Sequence, residues 1–175
     1  MRSRHLKAPE GMDTRPTADR VKEALFSILT NRLPGARVLD LYAGSGALAL
    51  EALSRGAESA VLCDQAAKAC RVIQENIDSL QCGGRARLLR IADKGALAAL
   101  KKQGAQFDLV FLDPPYRMDT APVCAQLSDG LLAPGGMIVV EHARETPPQV
   151  QPPLVLADRR EYGITGLSFY RKAEE

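Results

Sequence analysis

The tetrapeptide Asp113-Pro114-Pro115-Tyr116 directly follows a run of apolar residues, Phe107 to Leu112. Two consecutive prolines fix the backbone and remove two N–H donors, so neighbouring carbonyls face outward as unopposed acceptors. A carboxylate, a carbonyl and an aromatic ring are thus presented together. That combination suits an exocyclic amino group on a nucleic-acid base, a poor nucleophile because its lone pair is delocalised into the ring. Asp113 and the Pro114 carbonyl can hold both amino hydrogens and favour a pyramidal nitrogen, while Tyr116 stacks on a base taken out of its helix. The amine can then attack an electrophilic methyl in line, with rate gained by positioning and no metal required. The plainer alternative is a proline-stiffened turn with a solvated Asp.

A second constellation lies upstream, in Asp40-Leu41-Tyr42-Ala43-Gly44-Ser45-Gly46-Ala47-Leu48. Gly44 and Gly46 permit a sharp turn and close approach of the backbone to a ligand. Where a dinucleotide fingerprint has its third glycine this chain has Ala49, which argues against NAD or FAD. Asp64 follows roughly 20 residues later, the spacing at which an acid ending the next strand reaches ribose hydroxyls. Asp40 ends the first strand beside the loop and can bind an ammonium group or orient the turn. A tight turn and two capped strand ends are the alternatives.

Something must bring these two segments together, and the rest of the pattern supplies it. Thr17 is placed as an N-cap before helically spaced Val21, Ala24, Leu25, Ile28 and Leu29, and Pro34-Gly35 stops that helix. Strands are expected at Val38 to Tyr42, Ser59 to Cys63, Arg85 to Ile91, Phe107 to Leu112 and Met137 to Glu141. Helices are expected at Ala47 to Ser54, Ala66 to Leu80, Ala96 to Lys102 and Thr120 to Leu132, with a turn at Pro134-Gly135-Gly136. Nearly continuous apolar strands alternating with helices predict a parallel sheet covered on both faces. After the proline-rich 147–153 stretch, Leu154 to Tyr162 and Leu167 to Tyr170 read as an antiparallel hairpin closing the sheet edge. One α/β unit results, with residues 1–35 a basic extension and helix, and 36–175 the main domain.

Of the 175 residues, 46% are hydrophobic and 25% charged, the balance of an ordinary globular domain with a real core. No apolar run approaches the roughly 20 residues of a membrane span, and the N-terminus has no secretory pattern. Cys63, Cys70, Cys82 and Cys124 lack metal-type spacing and read as free, buried thiols of a cytoplasmic protein; with His5 and His142 the only histidines, a metal is not expected. Met1 to Arg37 carries eight Lys/Arg against four Asp/Glu on an otherwise slightly acidic chain. Such asymmetry points to an anionic partner or to a solvated basic tail.

Three blocks, RPTADRVKEALFSIL, VLDLYAGSGALALEALSRGA and FDLVFLDPPY, resemble in order and spacing the bacterial small-subunit rRNA methyltransferase D family. The resemblance spans nearly the whole chain. It implies a 16S rRNA (guanine-N2)-methyltransferase with the class I S-adenosylmethionine-dependent, Rossmann-like fold: a seven-stranded, mostly parallel sheet with an antiparallel C-terminal hairpin. By motif, Asp40, Gly44, Ser45 and Gly46 would line the S-adenosylmethionine site, Asp64 would bind the ribose and Asp93 would lie by the adenine. Tyr42, Gln65 and Ala92 complete the expected cofactor lining. Asp93 also reads as a helix N-cap. Asp113, Pro114, Pro115 and Tyr116 would be the catalytic motif. Arg15, Thr17 and Arg20 would face cofactor or RNA, with a salt-bridged helix start as the alternative, and Arg4 and Lys7 are candidates for phosphate contacts. The partner expected is 16S rRNA or the small subunit, engaged by a monomer. Two features depart from the family pattern. The chain begins almost inside the RHLKAP segment that the family usually precedes with a short strand, and Asp64 stands where Glu is common.

Three other readings remain. DPPY also serves adenine-N6 enzymes on DNA or RNA, although no separate target-recognition domain is evident. A non-catalytic nucleotide- or RNA-binding module has no need of acceptors aimed at an amine. A Rossmann oxidoreductase lacks its third glycine here.

Overall fold

The protein is described by a computed structural model covering residues 16–115 and 118–174, with only the backbone of Pro16 and Thr17. The chain runs α1 (Pro16–Ile28), a 3₁₀ turn (Thr30–Arg32), β1 (Arg37–Asp40), α2 (Ala47–Ser54), β2 (Ser59–Cys63), α3 (Ala67–Ser79) and β3 (Ala86–Leu89). It continues through α4 (Asp93–Lys102), β4 (Phe107–Leu112), α5 (Ala121–Ser128), β5 (Leu132–Ala143), β6 (Leu154–Tyr162) and β7 (Thr165–Lys172). All seven strands form one sheet in the order β3-β2-β1-β4-β5-β7-β6. The first five pair parallel with one another, and β7 pairs antiparallel with both β5 and β6. The expected parallel sheet with a C-terminal hairpin is therefore what the chain forms.

Strand periodicity divides the core in two. Side chains alternate across a strand, so Val38, Leu62, Leu109, Phe111 and Val139 pack on one face beneath α1, α2 and α3. Leu39, Cys63, Val110, Leu112 and Val140 pack on the other beneath α4 and α5. Burial on both faces explains the continuous apolar runs of the central strands. On the first face α1 contributes Val21, Leu25 and Phe26, and the Phe26 ring lies 5.9 Å from Phe111 at an interplanar angle of 57°. The guanidinium of Arg55 covers Phe26 from outside, 5.2 Å from its centroid.

The structure corrects several boundaries. The first helix is already formed at Pro16, so Thr17 lies inside its first turn and is not the cap; proline tolerates that opening position. At the other end the Thr30 hydroxyl donates to the carbonyls of Phe26 and Ser27, closing the last turn four residues before Pro34. α4 starts at Asp93, three residues earlier than its apolar spacing indicates. α5 ends at Ser128 because Gly130 takes φ +94° and turns the chain back to the sheet. There Phe107 donates its N–H to the Leu131 carbonyl, drawing Leu132 into β5 ahead of Pro134-Gly135-Gly136. That tripeptide is an irregularity within the strand: Phe107 pairs with Leu132 and Leu109 with Met137. The four cysteines are free and buried, as expected. Among the described residues no helix is long and apolar enough to cross a membrane.

Candidate functional site: a row of carboxylates at the carboxyl edge

Strand order reverses between β1 and β4, and open α/β sheets bind ligands at that switch point, outside the carboxyl ends of the strands. The side chains there follow from periodicity. Asp40 ends β1, Asp64 follows β2, Asp113 follows β4, and Glu141 lies beside it on β5, since Leu112 pairs with Val140. Each acid is two residues beyond a side chain in the α1–α3 core layer, namely Val38, Leu62, Phe111 and Val139. All four carboxyls therefore fall on one face and at one edge, on consecutive strands β2, β1, β4 and β5.

Asp40 is the most enclosed of them, only 1% exposed. Its Oδ2 accepts from the Ala49 N–H at 3.3 Å, while Oδ1 has no hydrogen-bond partner among the described residues. Burial, then the charge of Asp113, and more weakly that of Asp64, push its carboxyl up to about 7. A buried polar atom without a partner is costly unless a ligand completes it. Glu141 is half-buried, and burial together with the adjacent Asp113 raises its carboxyl to about 8. Asp113 opens to solvent at the cleft, yet burial also raises its carboxyl, against the opposing hydrogen bond from Glu141. Among the described residues no cluster of His, Cys, Asp and Glu is arranged to hold a metal ion.

The glycine turn is built into this edge. Gly44 and Gly46 both adopt left-handed φ, +60° and +83°. Gly46 precedes α2, and a Cβ there would sit 3.0 Å from Leu62 Cδ2, so a side chain would crowd β2 as well as strain the backbone. The Gly44 N–H donates to Asp64 Oδ2 at 3.0 Å and the Ala66 N–H to Oδ1 at 2.9 Å. Asp64 is thus fixed by two backbone amides, yet a carboxylate offers about four lone-pair sites, so two remain for hydroxyl donors. Ser45 is held from below: buried Asn76 on α3 donates its Nδ2 to the Ser45 carbonyl at 2.9 Å.

Two further expected residues meet each other. The Tyr42 hydroxyl donates to Asp93 Oδ2 at 2.8 Å, tying the end of β1 to the start of α4. Asp93 Oδ1 accepts the Lys94 N–H, but the residue before α4 is Ala92, so Asp93 occupies the first helical position and not the cap. Ala92 and Gln65 are exposed on the flanking loops. After β4, the Pro115 carbonyl accepts from the Met118 N–H.

Arg20 is exposed on α1. The 3₁₀ turn after this helix meets the amino edge, where Arg32 Nη1 donates to the Gly135 carbonyl, and Phe26 reaches Phe111 near the end of β4. Arg20 lies six residues before Phe26 on this helix. Arg4, Lys7, Arg15 and Tyr116 lie outside the described residues, as does the side chain of Thr17.

Glu141 and Asn76 were not singled out from the residue pattern. Glu141 ends an apolar strand as many solvated acids do, and its meaning depends on β5 lying next to β4. Asn76 did carry a signal, a polar residue on the buried Ile73–Ile77 stripe of α3.

The chain is similar to several known proteins. "Putative rRNA methyltransferase YlbH" of Bacillus subtilis is 39% identical over 174 residues, 98% of this chain and 95% of the relative. "Ribosomal RNA small subunit methyltransferase D" of Escherichia coli K12 is 37% identical over 142 residues, 80% of this chain and 70% of the relative. Among solved structures, "Putative methyltransferase yhhF from Escherichia coli" superposes with a TM-score of 0.83 at 33% identity, covering 97% of this chain and 92% of that one. The fold is accordingly that of the class I S-adenosylmethionine-dependent methyltransferases. The family model described as "Conserved hypothetical protein 95" matches residues 1–171, and with these relatives the chain belongs to the small-subunit rRNA methyltransferase D family.

Proposed function

We propose that this chain is an S-adenosylmethionine-dependent rRNA methyltransferase that methylates the exocyclic N2 of a guanine in 16S rRNA of the small ribosomal subunit. The observation carrying the reading is the row Asp64, Asp40, Asp113 and Glu141 on one face of the carboxyl edge, with Asp40 Oδ1 buried and without a partner among the described residues. A cationic ligand bearing an ammonium group and a ribose fits that donor set: Asp40 would take the ammonium and Asp64 the ribose hydroxyls. The glycine turn, Tyr42, Gln65, Ala92 and Asp93 would complete the binding site. When bound, S-adenosylmethionine supplies an electrophilic sulfonium methyl.

The protein's own contribution is placement and exclusion of alternatives. Asp113 and the Pro114 carbonyl accept the two hydrogens of the target amine, leaving its nitrogen lone pair aimed outward. Pro115 stiffens the turn, and Tyr116 stacks on the extruded base. Arg4, Lys7, Arg15, Thr17 and Arg20 would contact the RNA, whose phosphates account for the basic bias of the first 37 residues. Names of the relatives support rRNA as the substrate class.

The test is transfer of labelled methyl groups to small subunits lacking their guanine-N2 methylations, followed by digestion to nucleosides. Label in N2-methylguanosine is expected. Label in N6-methyladenosine would keep the chemistry and replace the base. Asp113→Ala is expected to abolish transfer while S-adenosylhomocysteine affinity stays near wild type; full activity would remove Asp113 from catalysis. Asp64→Ala should instead raise the Kd for S-adenosylhomocysteine, and an unchanged Kd would remove it from the cofactor site.

A further inference from the structure

We propose that Glu141 is a positioning residue for Asp113: its carboxyl, reaching across from the adjacent strand, holds one oxygen of Asp113 so that the other stays aimed at the target amine. This rests on the reading of Asp113 as the acceptor of an amino hydrogen. The two strands are locked in parallel register up to Leu112 and Val140, so the next residues, Asp113 and Glu141, emerge side by side. Both point to the same face, and their carboxyls are within hydrogen-bonding reach.

Two carboxylates in contact do not both stay ionised; one keeps a proton and donates it to the other. The order here follows from position. Glu141 is the group held up to about 8, by burial and then by Asp113, so its O–H donates and Asp113 accepts. The charge of Asp113 in turn raises the carboxyl of Asp40 beyond it, as an ionised Asp113 requires. On the other side Glu141 pairs with Leu167 of β7, which is buried and uncharged. From α1, the side chains packed into this layer are the apolar Val21, Leu25 and Phe26. His142 turns to the opposite face, its ring engaged with the Ala143 carbonyl and Ser168 Oγ, and the charges acting on it are those of Arg159 and Glu161.

Asp113 needs such a tether because it opens to solvent. A free Asp side chain rotates among several rotamers and exchanges hydrogen bonds with water. With one oxygen accepting from Glu141, the remaining lone pairs have a defined direction, and small errors of placement cost rate steeply. The same arrangement makes activity depend on a proton: once Glu141 ionises, the hydrogen bond is replaced by repulsion and Asp113 is no longer held.

The experiment is steady-state methyl transfer to small subunits by wild type, Glu141→Gln and Glu141→Ala, from mildly acidic to alkaline pH. Wild type should lose kcat on an alkaline limb centred near 8. Glu141→Gln keeps a donor that does not titrate, so it should stay close to wild type at neutral pH and lack that limb. Glu141→Ala should lose on the order of 10- to 100-fold in kcat, with KM for the subunit and Kd for S-adenosylhomocysteine unchanged. The proposal is overturned if Glu141→Ala retains wild-type kcat, or if Glu141→Gln shows the same alkaline limb. Asp113→Ala run in parallel separates the two readings. Inactivity there with a wild-type Glu141→Ala defeats only the role of Glu141, whereas full activity of Asp113→Ala defeats the assignment beneath it.

Discussion

Asp40 illustrates what a single buried acid does to this molecule. Its carboxyl is raised to about 7, so the ionised form is disfavoured in the folded chain relative to the unfolded one. A raised acid contributes fully to stability below its unfolded value near 4 and loses that contribution as pH climbs toward 7. The ligand-free protein should therefore weaken between about pH 4 and pH 7, by up to about 4 kcal/mol from this group. Asp40→Asn should raise the melting midpoint of the ligand-free protein more at pH 8 than at pH 5, while weakening S-adenosylhomocysteine binding. Thermal melts and a ligand titration at both pH values check it; an equal shift at the two would show that Asp40 does not titrate as described. At the same scale, the identities of Asp40, Asp64 and Asp113 and their strand-end positions were legible in the chain, because each follows an apolar run. That Asp40 is buried with one oxygen unmet was not legible, since burial is a property of neighbours brought from α2 and β4.

The glycine turn works only as part of the elements around it. Gly46 sits at φ +83° against Leu62, so Gly46→Ala meets both a left-handed backbone and a contact at 3.0 Å. A cost of about 1–3 kcal/mol in unfolding free energy is expected, read by urea titration. Asn76→Ala removes the donor to the Ser45 carbonyl from α3 and should cost about 1–3 kcal/mol as well. It should also raise the Kd for S-adenosylhomocysteine, because the loop loses its anchor; an unchanged Kd with lowered stability would make Asn76 purely a core residue. Periodicity identified the helices and strands that hold these groups, including the final hairpin. It missed their ends where tertiary pairing intervenes. β5 begins at Leu132 because β4 draws that segment into the sheet, and local spacing carries no record of β4.

Taken as a whole, the protein joins an acidic carboxyl edge to a basic first segment. Phosphate contacts release counterions, so RNA affinity should fall with salt in proportion to the number of cations engaged. Arg4→Glu with Lys7→Glu should raise KM for the small subunit by about tenfold and reduce the salt slope by about two, leaving the Kd for S-adenosylhomocysteine unchanged. Steady-state kinetics at several salt concentrations test this, and an unaltered slope would show that the segment is a solvated tail.

The amino-acid sequence by itself determined the alternation of strands and helices, the glycine turn with its following acid, and DPPY at the end of an apolar strand. Those features are local, and each is written in residue types within a short window. Only the tertiary structure decided that Glu141 neighbours Asp113, that Asn76 supports Ser45, and that Tyr42 is tied to Asp93. These relations depend on strand order and on which helix covers which face, and such long-range pairings leave no periodic trace along the chain.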